Sequence, residues 1–109
     1  MSSSGKTAPK VVYWHQELPP LNGEVMHEHV IEATSDRVQG AIERDGALWH
    51  RCYAALMDHT RLRLEQEVRR LGGDYVHVLD EHINSQRDDA SSESWLHGRF
   101  SYVLYRRSG

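Results

Sequence analysis

The sequence predicts an α+β domain: a four-stranded, mainly antiparallel sheet in the order β-β-α-β-β, with one long helix packed on one face. Three observations carry this. Apolar residues recur at steps of three and four in one long stretch, from Asp45 to Leu71. On each side of it lie two segments rich in β-branched and aromatic residues. Short polar connections join the members of each pair, so hairpins are the economical reading, and a single amphipathic helix covers one face of what they build.

The elements follow in chain order. "MSSSGKTAPK" has no apolar run and reads as a disordered tail over residues 1–10, leaving 11–109 as one domain. "VVYWHQEL", Val11 to Leu18, is a short strand that ends at Pro19-Pro20, which cannot continue a ladder. Asn22-Gly23 supplies turn chemistry, and "EVMHEHVIEAT" is the second strand. Matching apolar faces sets Trp14 opposite His29, Val12 opposite Ile31 and His15 opposite Glu28; a slip of one residue sets His15 opposite His27 instead. Residues 35–44 fit either a helical turn or a strand extension.

Asp45 caps a helix whose stripe runs through Trp49, Tyr53, Leu56, Met57, Thr60, Leu64, Val68 and Leu71. Arg61/Glu65, Arg63/Glu67 and Glu65/Arg69 support its outer side, and Gly72-Gly73 ends it. "DYVHVLDEHI" is the third strand, "NSQRDDASSES" a polar loop, and "WLHGRFSYVLYRR" the fourth strand.

Sixteen acidic against 13 basic residues, net charge -3, provide no broad positive field for nucleic acid. Nothing approaches the ~18 apolar residues of a membrane-spanning helix. Cys52 is the single cysteine, which rules out an internal disulfide and a cysteine zinc cage and suggests a reducing, cytoplasmic setting.

"EVRRLGGDYVHVLDEHI", a polar loop and then "WLHGRFSYVLYRR" resemble the pattern of YbjQ-type small proteins and RcsF-like bacterial proteins, over residues 65–105. There a helix ends in Leu-Gly, an apolar-Val strand follows at once, and a last strand carries a glycine and an aromatic. The resemblance implies a small α+β fold and ring-like oligomers. YbjQ-type families are often labelled heavy-metal-binding by analogy. The lone cysteine and the missing strand-one glycine pattern set this chain apart, and no residue role carries over.

Eight histidines raise the question of a metal site. Alternation along the second strand puts His27 and His29 on the helix side and Glu28 and Glu32 on the other, and Ile31 stands where a His-Glu-x-x-His zinc motif needs histidine. The transition-metal set that remains is His15, Glu28 and His97. On the last strand Leu96, Gly98, Phe100, Tyr102 and Leu104 form the core side. Trp95, His97, Arg99, Val103 and Tyr105, with Tyr13, then lie on the uncovered face, as a ligand or interface surface unless residues 35–44 fold over it.

Cys52 and His59 stand about 10 Å apart along the helix, too far for a nucleophile and its base. "DEHI" reads as a solvated strand end. No phosphate loop, nucleophile elbow or paired-carboxylate motif is present. The expected function is a non-catalytic interaction or self-assembly module, a homo-oligomer or a protein's partner, requiring no cofactor. The alternative is a protein that binds a divalent transition metal or small ligand through histidines.

Overall fold

The structure is a computed structural model that describes residues 10–107; the expected tail, apart from Lys10, lies outside them. Among these residues a single α-helix, α1 (Gly46–Leu71), crosses a mixed, mainly antiparallel sheet of β1 (Val12–Tyr13), β2 (Gly23–Thr34), β3 (Val38–Gln39), β4 (Tyr75–Asp88) and β5 (Glu93–Arg107). No helix among the described residues is long and apolar enough to cross a membrane.

Local chemistry sets α1. The Asp45 carboxylate accepts hydrogen bonds from the amides of Ala47 and Leu48 at 3.0 and 3.3 Å, satisfying two of the first-turn donors. At the other end Gly72 takes φ 73°, a left-handed conformation that costs glycine nothing, and the Gly73 amide closes onto the Val68 carbonyl at 2.9 Å. Between the caps, Cys52, Leu56, Thr60, Leu64 and Val68 are buried against the sheet. Cys52 is a core thiol, and the buried Thr60 hydroxyl donates to the Leu56 carbonyl.

The sheet departs from the expected pairing. The strands run in the order β1-β4-β5-β2, with β3 beside β5 beyond the end of β2. The first two strands form no hairpin: β1 pairs in parallel with β4, Val12 beside Val76 and Tyr13 beside His77, while β2 pairs with β5 on the opposite margin. The first strand is also only two residues long. The Glu17 amide donates to the Trp14 carbonyl at 2.7 Å and the Glu17 carboxylate accepts from the Trp14 amide at 2.8 Å, so the chain turns before His15 can extend a ladder.

Most of the segment expected as a loop, 84–94, is strand. Asn84 to Asp88 pair with His97 to Glu93, leaving a turn at Asp89–Ser92. Backbone hydrogen bonds to an already extended partner hold these polar residues, and no apolar alternation is needed. Residues 35–44 are split between β3 and a 3-10 turn (Ile42–Arg44) that buries Ile42.

Two bulges decide which way side chains point. Met26 is the extra residue in β2 and Leu79 in β4. Past the Leu79 bulge, Glu81 stands opposite Phe100 on the helix side and His82 opposite Arg99 on the other. The core lies between α1 and the sheet: Leu96, Gly98, Phe100, Tyr102 and Leu104 are all buried, as the alternation of β5 requires.

Candidate functional site

The face of the sheet turned away from α1 is organised in rows across β2, β5 and β4. Val25, Tyr105 and Tyr75 share one row; Glu28, Val103 and His77 the next; then Val30, Ser101 and Asp80; then Glu32, Arg99 and His82; then Thr34, His97 and Asn84. Beyond them Trp95 stands beside Gln86. The structure is 24 Å through its thinnest dimension, room for one helix on one sheet, so among the described residues no second layer lies over these rows.

The chain covers both ends of this face itself. At one end Tyr13 meets Tyr75 edge-on at 5.7 Å, and Tyr75 stacks on Tyr105 at 5.1 Å and 17°. The loop between β1 and β2 closes over this ladder, held by the Tyr75 hydroxyl donating to the Pro20 carbonyl at 2.9 Å. Gly23 is required there, because a Cβ would sit 1.8 Å from the Tyr75 oxygen. Burial, and next the neighbouring Tyr105, push the Tyr75 phenol above its ordinary pKa. At the other end the Arg37 guanidinium lies 4.0 Å above the Trp95 ring while pairing with Glu93 at 3.6 Å.

Of the expected interface residues, Tyr13, Val103 and Tyr105 therefore gather at the loop end, Trp95 lies under Arg37, and His97 and Arg99 lie in the open middle. They do not form one aromatic patch. His97 Nε2–H donates to Glu32 Oε1 at 2.8 Å, and Arg99 is exposed. Of residues 35–44, Arg37 covers Trp95; the larger cover is the Leu18–Asn22 loop.

The expected metal set, His15, Glu28 and His97, is not brought together. His15 follows β1 on the β4 side and donates to Glu81 Oε1 at 2.6 Å, whereas Glu28 lies on the opposite margin in β2. His97 and Glu28 share the outer face, but His97 is six residues from Val103, Glu28's partner, roughly 20 Å along the strand. Among the described residues no three His, Cys, Asp or Glu side chains converge as metal ligands. His27 and His29 lie on the helix side as alternation demands, at its exposed rim. Their rings are 5.2 Å apart, and neither hydrogen-bonds to a described residue.

The "DEHI" segment is mid-strand, and its second carboxylate is a structural node. Glu81, turned inward by the bulge, accepts from His15 and from the Tyr53 hydroxyl at 3.4 Å. Burial, and then the Glu81 charge, raise the pKa of Tyr53. On the far margin His59 Nδ1–H donates to the Thr34 carbonyl at 2.9 Å and Arg63 to the Glu32 carbonyl, so two helix side chains cap the end of the β2 edge.

Sequence reasoning missed His77, Leu18, Leu21 and Leu79. The first three line a groove of about 370 Å³ with Pro19, Pro20, Gly23 and Tyr105. Leu-Pro-Pro-Leu was the available signal, two large apolar residues around a pair that cannot join a ladder. Leu79 had none, since a bulge is set by pairing. No family model, curated protein or solved structure matches the chain.

Proposed function

We propose that the chain is a non-catalytic association module that pairs with a second copy of itself, stacking the open middle of the outer face sheet against sheet. One observation carries this reading: on that face Glu32 at the β2 margin and His82 at the β4 margin share a row. The β2 margin carries Glu28 and Glu32, the β4 margin carries Asp80 and His82, 3.1 Å apart, with His82 in the row of Glu32, and Leu79 projects from β4 at 50% exposure. A two-fold axis running along the strands lays the β2 margin of one copy over the β4 margin of the other. Glu32 then faces His82 of the second copy. An axis across the strands would instead set Glu32 over Glu28. Arg99 lies in the central column beside Glu32, whose carboxylate accepts from His97.

The open rows span roughly 14 by 27 Å from strand spacing and rise, which suits a weak, reversible pairing better than a permanent one. Residues 65–105 resemble families that form ring-like oligomers, which points the same way. A metal-binding reading has no assembled ligand set to support it. Sedimentation equilibrium over a range of concentrations provides the test. Glu32→Lys should weaken self-association by tenfold or more, and Glu32→Lys with His82→Glu should restore it. A chain that stays monomeric at millimolar concentration, or a double variant no better than the single, would sink the reading.

A further inference from the structure

Strand alternation puts His27 and His29 side by side on the helix side of β2, at its exposed rim. They stand opposite Leu104 and Tyr102 in a ladder that is regular beyond the Met26 bulge, so the backbone fixes the spacing of their stems. Their ring centres are 5.2 Å apart with the planes tilted by 48°, and the His29 ring also meets Tyr102 edge-on at 6.4 Å. The other histidines are engaged elsewhere. His15, His82 and His97 each pair with a carboxylate, His59 donates to the Thr34 carbonyl, His77 Nε2 is buried, and His50 lies against Trp49. Among the described residues, His27 and His29 are the two imidazoles that lie ring to ring, open to solvent and without a hydrogen bond.

We infer that His27 and His29 chelate one divalent transition-metal ion such as zinc through their two imidazoles, with water in its remaining positions. Imidazole nitrogens bind zinc at about 2.0–2.1 Å, and two imidazoles sharing an ion at a tetrahedral angle have ring centres roughly 5 Å apart. The separation of the His27 and His29 rings already matches that value. Imidazole selects zinc, nickel and copper over magnesium and calcium, which take oxygen ligands. Once one ring has bound, the strand holds the other within reach, so the pair binds far more tightly than either histidine alone. Neither ring gives up a hydrogen bond to turn toward the ion, and at an exposed rim the ion keeps much of its water. Glu67 is close enough to interact with His29, but Arg70 holds both of its oxygens, at 2.8 and 2.7 Å, which leaves two protein ligands and no third. Two ligands make an exchangeable site and not a resident metal centre. The pair faces away from the open rows proposed for pairing, so the two proposals stand or fall independently.

The experiment titrates the 15N-labelled protein with zinc chloride, following the histidine ring nitrogens by NMR and the stoichiometry by calorimetry. The rings of His27 and His29 should shift together and saturate at one ion per chain, and magnesium chloride should have no effect. His27→Asn and His29→Asn should each weaken zinc by about tenfold or more, whereas His82→Asn, beside Asp80 on the other face, should leave it within about twofold. Both positions are exposed and hold no hydrogen bond, so the variants keep the fold, and the ring shifts of the parent chain test the inference without any variant. No saturable shift at millimolar zinc, a shift at one of the two rings alone, or a loss confined to one of the two variants overturns the inference. So does saturation at one ion per two chains, which would place the site between copies.

Discussion

The two faces of the sheet solve the same burial problem by different means. On the inner face one element does it: α1 lays a continuous stripe, from Cys52 to Val68, over Leu96, Phe100, Tyr102 and Leu104. On the outer face short pieces of chain do it locally, the Leu18–Asn22 loop over three tyrosines and Arg37 over one tryptophan, and the middle stays open. Both faces are built from the same strands, with alternate residues going to each. The comparison teaches that aromatic residues on a strand do not by themselves mark a free surface. What marks one is the absence of any nearby segment able to reach it.

If the inner face carries most of the stability, the largest effect comes from Phe100. It is fully buried and meets Trp14 edge-on at 6.2 Å, so Phe100→Ala should cost about 3–5 kcal/mol in urea unfolding. A loss below about 1 kcal/mol would break the contrast between the faces.

Next in size is the loop clasp. Gly23→Ala forces its new methyl into the Tyr75 hydroxyl and should destabilise by about 1–3 kcal/mol through overpacking. Adding Tyr75→Phe removes the clashing oxygen and should recover part of that loss. A double variant worse than Gly23→Ala alone would mean the loop is not held where the ladder of tyrosines places it.

The smallest effects separate two buried phenols, one on each face. Tyr75 donates to Pro20, and Tyr75→Phe should cost about 1 kcal/mol. The Tyr102 hydroxyl is buried with no partner, so Tyr102→Phe should be neutral or stabilising. Burial, and next Glu67, raise the Tyr102 pKa as burial and Tyr105 raise that of Tyr75. The neutral phenol is the form the fold favours. Its contribution is therefore complete below the unfolded tyrosine value of about 10 and is lost as pH rises through the higher folded values. Thermal melts between pH 8 and 11 should show a steeper alkaline loss for the parent chain than for Tyr102→Phe. Identical slopes would remove Tyr102 from the account.

Much of the fold was legible. Asp45, Gly72 and the stripe between them marked α1, because caps and periodicity depend on residues within a turn or so of one another. Alternation in "WLHGRFSYVLY" assigned the core side of β5 correctly, and the same rule placed His27 and His29 on the helix side of β2. The candidate site was less legible. Trp95 and Tyr105 read as neighbours on one bare face, yet each is covered by a segment distant in sequence, Arg37 in one case and Pro20 with Leu18 in the other.

Sequence alone thus determined what depends on near neighbours: the helix and its ends, the strand-forming segments, and the facing of residues along an unbroken strand. The tertiary structure decided which strands pair, that β1 lies beside β4 and not β2, and where the ladder slips by one residue. Each bulge reverses the facing of everything beyond it, which is how Glu81 came to point inward. The physical reason is that a strand's edge hydrogen bonds accept any extended partner. The choice among partners rests on burial summed over the whole sheet, and no short stretch of sequence contains that sum.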